Sequence, residues 1–182
     1  MRVLNLGCGS DIRKDIDGEE WWNVDTNPPA YRSENARVLE LDCRKIASYF
    51  EEGFFDRVFA SFLFEHIEVA ALPALLWNIH RVLAANGELL VHVPNMQAIL
   101  REYERQFSGD TDENEEDKDP TFITMIVNPL RIFGDEQVTQ HRSIWTPAVG
   151  QYYLEMEGLF RVVDVTQKCD PDWTVVYLAR KV

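Results

Sequence analysis

The amino-acid sequence predicts an α/β fold: a doubly wound, mostly parallel sheet with an antiparallel strand pair at the C-terminal end. Short apolar runs alternate with helical stretches over residues 3–95, and such alternation specifies a parallel sheet covered by helices on both faces. A glycine turn, Gly7-Cys8-Gly9, follows directly on the first apolar run. Two β-rich runs come in succession at the end of the chain, joined by the turn-forming segment 168–172, and such a link favours antiparallel pairing.

Short runs rich in apolar and β-branched residues predict seven strands. They are Val3–Leu6, Trp22–Asp25, Arg37–Leu41, Phe55–Ser61, Glu88–Val93, Phe160–Thr166 and Trp173–Ala179. Each is at most seven residues long. The sequence therefore supplies enough strands for one open sheet.

Helical periodicity predicts four helices between these strands. They are Arg44–Phe50, Val69–Ala84, Met96–Phe107 and Pro147–Gly158. We expect Asn86-Gly87 to close the second helix, because glycine is the usual left-handed cap. Segment 11–22 is short and polar with Gly18 inside it, so we expect no full helix after the glycine turn.

The length and charge of the chain limit what it can be. A chain of 182 residues favours a single domain, residues 1–182, with one sizeable core. The net charge is −13, from 18 Lys+Arg against 31 Asp+Glu. Binding to nucleic acid depends on cationic groups that meet phosphates, so we expect no nucleic-acid partner and instead a small-molecule substrate.

The cysteine pattern and the hydropathy predict a cytoplasmic protein. Three cysteines stand far apart without a CxxC pair, which fits a reducing compartment better than disulfides or a zinc site. We accordingly expect no metal ligands. No apolar run approaches the length of a membrane span, and the chain starts with a strand rather than a signal peptide, so we expect no membrane partner.

Residues 108–120 form an acidic segment. Its composition cannot bury a core, and we expect a mobile surface insertion. Binding of a basic partner or a metal is the alternative interpretation of the acidic run.

The glycine turn and the acid after it predict a pocket for an adenosine-type ligand. Gly7 and Gly9 lie at the carboxyl end of a strand, where residues without side chains let a ligand approach the backbone. An acid about 20 residues past such a turn is where a ribose diol is held, and Asp25 stands in that position. Ile12 replaces the third glycine of the dinucleotide fingerprint, so the ligand should lack a pyrophosphate.

Six motifs in register resemble class I S-adenosylmethionine-dependent methyltransferases, in particular the small-molecule branch. They are Leu4–Ser10, Asn23–Asp25, Leu41-Asp42, Phe55–Ser61, Glu65-His66 and Arg81–Pro94. The resemblance implies a Rossmann-like fold and methyl transfer from S-adenosylmethionine to an O or N atom of a small molecule. A cofactor-binding protein without turnover and a nicotinamide-dependent oxidoreductase are the alternatives.

The resemblance also implies a set of cofactor-binding residues. They are Asn5, Gly7, Cys8, Gly9, Asp25, Thr26, Asp42, Cys43, Ser61, Phe62 and Leu63. It implies that Asp25 accepts both ribose hydroxyls and that Asp42 accepts the adenine amino group. Asn5 stands where the family usually has an acid, so it brings an acceptor but no charge. Other interpretations remain: a turn role for Asp25, a helix N-cap for Asp42 and simple packing for Cys8.

Two histidines are the candidate catalytic residues. The resemblance places His66 next to the transferred methyl, and His141 follows an apolar segment that we expect to cover the pocket. An imidazole titrates near neutral pH and can accept a proton from a hydroxyl acceptor; the tighter motif match favours His66. We expect residues 96–146 to cover the substrate, because they are least like the shared core.

Overall fold

The computed structural model describes residues 1–29, 35–107, 141–168 and 173–182. Within these ranges seven strands form one sheet. They are β1 (Arg2–Leu6), β2 (Glu20–Asp25), β3 (Arg37–Glu40), β4 (Phe55–Ser61), β5 (Leu83–Pro94), β6 (Phe160–Lys168) and β7 (Thr174–Lys181). The predicted bounds of β4 are matched, and the other six strands differ from prediction by one to five residues at their ends.

The strand order is β3-β2-β1-β4-β5-β7-β6. Pairing is parallel from β3 through β5, and β7 pairs antiparallel with both β5 and β6. The mostly parallel sheet with an antiparallel C-terminal pair is therefore confirmed. The chain runs outward from β1 to β2 and β3, then returns to β4 on the other side. Ligands of open α/β sheets bind at the carboxyl ends of the strands at such a switch point.

Four helices accompany the sheet in the described ranges. They are α1 (Ile46–Tyr49), α2 (Leu72–Val82), α3 (Met96–Phe107) and α4 (Pro147–Glu155). Short 3-10 turns occupy Cys43–Lys45, Phe64–His66 and Val69–Ala71, so the predicted helices at 44–50 and 69–84 each begin as a 3-10 turn. No helix lies between residues 7 and 19, as expected from the polar segment after the glycine turn.

The predicted cap at Asn86-Gly87 is wrong. Helix α2 ends at Val82, and β5 begins immediately at Leu83, whose side chain is fully buried. The register of β5 against β4 then shifts between Phe55 and Arg57. Asn86 adopts the left-handed conformation with φ 61°, and a Cβ at position 87 would lie 2.9 Å from the Ala84 carbonyl oxygen. Asn86 and Gly87 therefore shape a bulge inside β5 rather than a helix end.

Alternate residues of the central strands face two unequal clusters. Leu4 and Leu6 belong to the main core, where they pack with the buried face of α2, formed by Leu72, Leu75, Leu76, Ile79 and Val82. Val3, directly before Leu4, faces a smaller cluster with Trp21 and Phe59. The two-residue period of a strand separates these sets. The main core therefore fixes the central strands, whose carboxyl ends form the side of the sheet where ligands of such folds bind.

Helix α4 is fixed against β7 by Tyr177. The hydroxyl of this fully buried tyrosine donates a hydrogen bond to the Thr146 carbonyl at 2.6 Å, and Thr146 caps the helix through its side chain. Gly150 is the residue of α4 that faces the ring: a Cβ there would overlap Tyr177 and lie 2.8 Å from Trp145 Cε3. The small residue thus allows the helix to approach the sheet closely.

Two predicted segments lie wholly or partly outside the described residues. These are the acidic insertion at 108–120 and most of the covering region at 96–146, of which the structure describes 96–107 and 141–146. In the part of the chain that the structure describes, no helix is long and apolar enough to cross a membrane.

The close approach at Gly150 leads to a stability prediction. Gly150→Ala should lower the free energy of unfolding by about 1–3 kcal/mol, the usual cost of overpacking, measured by urea denaturation. Gln151→Ala is the matched control, because Gln151 is exposed in the same helix and its replacement should change stability by no more than about 0.5 kcal/mol. Equal stability of Gly150→Ala and wild type would contradict the packing.

Candidate active site

The glycine turn after β1 is anchored to the end of β2. The backbone N–H groups of Gly7 and Cys8 both donate to the Val24 carbonyl, at 2.8 and 3.0 Å. Gly7 and Gly9 have φ of 70° and 48°, a region that suits glycine. No atom of the described residues lies within 4 Å of the position that a Cβ on Gly9 would occupy, so among these residues the turn is open on that side. Backbone and ligand can approach each other there.

Asp25 is linked to the same turn. One carboxylate oxygen accepts from the Gly9 N–H at 2.9 Å, and the other accepts from the Asn27 N–H at 2.8 Å. The turn interpretation of Asp25 is therefore correct. Each oxygen has a further lone pair, so these bonds leave capacity for hydroxyl donors. The glycine turn orients the acid that was expected to bind a ribose.

A cavity of about 260 Å³ lies at the carboxyl ends of β1 and β4. Its lining residues are Asn5, Gly7, Cys8, Gly9, Ser10, Asp11, Ser61 and Phe62. Six of them were predicted as cofactor-binding residues, and Ser10 and Asp11 were not. The amide nitrogen of Asn5 donates to the Asp11 carbonyl at 2.7 Å and to Asn23 Oδ1 at 3.0 Å. Asn5 can therefore offer a ligand only its amide oxygen.

A second cavity of about 350 Å³ adjoins the first. Its lining residues are Thr26, Asp42, Cys43, Arg44, Leu63, His66, Ile67, Glu68, Ala71 and Arg142. Thr26, Asp42, Cys43, Leu63 and His66 were predicted. A Cβ on Gly7 would stand 2.8 Å from Leu63 Cδ1, so the two cavities meet across the contact between these residues. The predicted cofactor residues thus converge on one edge of the sheet.

Asp42 performs the capping role that was one of its two interpretations. Its carboxylate accepts from the Arg44 backbone N–H at 2.9 Å and forms an ion pair with the Arg44 guanidinium at 2.6 Å. The hydrogen bond from Arg44 lowers the pKa of this carboxyl. The group is therefore ionised at neutral pH and partly engaged by the exposed Arg44, a contact that the sequence pattern did not reveal.

The two described cysteines behave as packing residues. Both are free and buried. Burial raises the pKa of the Cys8 thiol to about 11 and that of the Cys43 thiol to about 12, and in each case a neighbouring aspartate adds to the rise. Neutral thiols are poor nucleophiles, so the packing interpretation of Cys8 is supported.

The structure brings His66 and His141 together. Their ring centroids are 5.1 Å apart at an interplanar angle of 64°, and both side chains are half-buried. Burial, with a smaller contribution from His66, lowers the pKa of His141. At neutral pH the His141 imidazole is therefore neutral and presents a basic nitrogen.

A backbone contact between distant segments produces this pairing. The N–H groups of Arg142 and Ser143 both donate to the Glu65 carbonyl, at 2.6 and 3.1 Å. The Ser143 hydroxyl donates to the Phe64 carbonyl at 3.1 Å and accepts from Trp145 Nε1 at 2.9 Å. Segment 141–145 is thereby fixed on the loop after β4.

Glu65 is the residue of this site that the sequence prediction missed. Its motif was noted, but only His66 was selected from it. The side chain is 2% exposed, and neither carboxylate oxygen has a hydrogen-bond partner among the described residues. Burial raises the pKa of Glu65 to about 8, although its own backbone N–H offsets part of the rise. The adjacent His66 was the one sequence feature that could have pointed to Glu65 as a site residue.

The raised pKa values lead to a prediction of thiol reactivity. At pH 8, Cys8 and Cys43 should react with iodoacetamide at least roughly 100-fold more slowly in the folded protein than in urea, because the thiolate is the reactive species. Mass spectrometry of the peptides resolves each cysteine, and the urea sample is the control. Rapid labelling of Cys8 in the folded protein would show an activated thiol.

Comparison with known proteins finds a family match over part of the chain. Residues 4–91 match the family described as "Methyltransferase domain", and no curated protein matches the chain. The fold is similar to that of a methyltransferase dependent on S-adenosylmethionine (SAM) from Archaeoglobus fulgidus, with TM-score 0.63, 15% identity, and coverage of 99% of this chain and 86% of that one.

Two further solved structures share the fold. One is 1,6-didemethyltoxoflavin-N1-methyltransferase from Burkholderia thailandensis, with bound 1,6-didemethyltoxoflavin and S-adenosylhomocysteine; it has TM-score 0.63 and 17% identity, with 100% of this chain and 71% of that one covered. The other is a putative methyltransferase in complex with the Trm112 activator of Haloferax volcanii, with TM-score 0.63, 14% identity, and coverage of 99% and 82%. Residues 4–91 therefore match a methyltransferase domain, and the chain shares its fold with solved S-adenosylmethionine-dependent methyltransferases.

Proposed function

We propose that the protein transfers a methyl group from S-adenosylmethionine to an O or N atom of a small molecule. One observation carries the proposal: His66, which lies against His141, lines the larger cavity together with the predicted cofactor residues Asp42 and Cys43. The match of residues 4–91 to a methyltransferase domain favours this activity over the nicotinamide-dependent and non-catalytic alternatives.

The residues at the sheet edge fit the cofactor. The open side of Gly9 admits a ligand against the backbone, and the Asp25 carboxylate beside it can accept ribose hydroxyls in charge-assisted bonds. We assign the adenine to the neighbourhood of Asp42 and Cys43, which line the larger cavity with Thr26. We assign the amino acid end to the smaller cavity, where the Asn5 amide oxygen and the Ser61–Leu63 backbone lie.

The chain's main task in the reaction is alignment. When bound, S-adenosylmethionine supplies a methyl group on a sulfonium sulfur, which leaves with the electron pair of the C–S bond as an acceptor lone pair forms the new bond to carbon. Holding the reactants in line provides most of the acceleration of such a displacement. An amine acceptor needs no further help, whereas a hydroxyl must also lose its proton.

The histidine pair would accept the proton that a hydroxyl acceptor loses. The lowered pKa of His141 keeps a neutral imidazole next to His66 at neutral pH. Both rings are half-buried rather than enclosed, so an acceptor in the larger cavity can reach His66, which lines it. His66 is the direct contact in this proposal, and His141 supports it.

The size of the cavity and the charge of the protein favour a small acceptor. The larger cavity has a volume of about 350 Å³, and because the adenine shares it, the remaining space suits only a small acceptor. The net charge of −13 opposes nucleic acid. We further propose that residues 96–146 cover the acceptor. The free thiols of Cys8 and Cys43 are consistent with a cytoplasmic location.

The assignment of Asp25 can be tested by calorimetry with S-adenosylmethionine or S-adenosylhomocysteine. Asp25→Ala should weaken binding by about 1.5–3 kcal/mol, the scale of a hydrogen bond to a charged group. Glu40→Ala is the matched control: Glu40 is the exposed register partner of Asp25 on β3, and its loss removes the same charge. Equal affinities of wild type and Asp25→Ala would refute the assignment.

The role of His66 can be tested once a screen for labelled methyl transfer has found an acceptor. His66→Ala should retain cofactor affinity and lose about 10²–10⁴ in turnover. His80→Ala, an imidazole on helix α2 packed against Phe160, is the control and should keep full activity. Near-native turnover of His66→Gln would show that His66 positions the acceptor instead of removing its proton.

A further inference from the structure

Three ligand-type side chains meet at the loop after β4. The side chains of Glu65, His66 and His141 each offer one donor atom, and these atoms all lie within 4.8 Å of one another. His66 and Glu65 come from the same loop, and His141 comes from the segment that is bonded to it. Two elements far apart in sequence thus converge on one point.

The surroundings of Glu65 indicate that this point takes a ligand. The carboxylate is 2% exposed, and neither of its oxygens has a hydrogen-bond partner within the described ranges. An ionised carboxyl that is buried without a partner is costly, and such groups are normally neutral, paired or bound to a metal. The guanidinium of Arg142, on the segment docked at this loop, is paired with Glu68 at 2.7 Å. The arrangement leaves room for a positive charge beside Glu65.

We propose that Glu65, His66 and His141 bind one divalent transition-metal cation. Two imidazoles and one carboxylate are the ligand set of catalytic zinc sites and of non-haem iron sites, both of which keep open positions for substrate. Donor atoms around such an ion lie about 3–3.5 Å apart, given bonds of about 2.0–2.2 Å. The donor atoms, now within 4.8 Å of one another, must therefore approach one another by up to about 1.3–1.8 Å on binding. Mg²⁺ is disfavoured, because it prefers oxygen ligands.

In the proposed reaction the histidine pair would hold a cation that binds the hydroxyl of the acceptor; this part of the inference rests on the proposed function. A hydroxyl that binds an open position of a divalent cation loses its proton at lower pH, and the proton passes to solvent. The imidazoles then act as ligands, and His66 itself need not accept the proton. The acceptor would reach the cation from the larger cavity, which His66 lines.

Cation binding can be measured without any methyl transfer. The protein is freed of metal with a chelator and titrated with Zn²⁺ or Co²⁺ by calorimetry, and Mg²⁺ is titrated for comparison. We expect one strong Zn²⁺ or Co²⁺ site per chain and at least tenfold weaker binding of Mg²⁺. Glu65→Gln, which keeps the size of the side chain, His66→Ala and His141→Ala should each weaken this site at least tenfold, the scale found even for residues that merely support ligands.

Controls separate this site from other cation binding. His80→Ala should bind Zn²⁺ like wild type, and circular dichroism should show that all variants fold. Absence of a strong site in wild type, or a site that survives in both His66→Ala and His141→Ala, would overturn the proposal; the latter result would place the cation elsewhere, such as on the acidic segment 110–119.

The experiment also distinguishes the cation from the proposed function. S-adenosylhomocysteine binding should be the same in wild type and Glu65→Gln. If wild type binds Zn²⁺ or Co²⁺ but does not bind S-adenosylhomocysteine, the proposed function is refuted and the metal site still stands. With an identified hydroxyl acceptor, chelation should abolish turnover and Zn²⁺ or Co²⁺ should restore it. Full activity of Glu65→Gln in the presence of chelator would assign proton removal to His66 alone.

Discussion

The peptide carbonyl of Glu65 accepts hydrogen bonds from two backbone N–H groups, those of Arg142 and Ser143. This contact joins the loop after β4 to the segment that leads into α4. Trp145, three residues after Arg142, is 1% exposed and extends the junction into the main core. The contact holds the segment that carries His141 beside the loop that carries Glu65 and His66. The acceptor side of the site depends on it.

The relative placement of the glycine turn and Asp25 could be predicted from the sequence, because their contacts are short and follow the strand pattern. Gly7 and Asp25 end neighbouring parallel strands, β1 and β2, so placing them on adjacent strand ends required only the alternation of strands and the order of the sheet. The absent helix after the glycine turn was likewise readable from a polar segment containing Gly18. The structure adds the Gly9 N–H bond to Asp25, which composition and spacing do not specify.

The missed features all depend on tertiary contacts. The end of α2 at Val82 follows from pairing of Leu83 with Phe55, so a sheet contact decided the helix boundary against the Asn86-Gly87 signal. Glu65 was passed over because an isolated glutamate is normally exposed. Its backbone carbonyl bonds to the docked segment at 141–145, which lies some 75 residues further along the chain. Sequence spacing carries no information about such a meeting.

The two sides of the site are therefore held by different kinds of interaction. On the cofactor side, backbone bonds between adjacent strands fix the glycine turn, and they persist whatever follows β5. On the acceptor side, the positions of His66 and His141 depend on a single docked segment, whose side chains outside the core, Arg142 and Ile144, are exposed. Changes in the second half of the chain can consequently alter the acceptor without disturbing the cofactor. A buried carboxylate kept at this junction, at a cost in stability, is better explained by chemistry there than by folding.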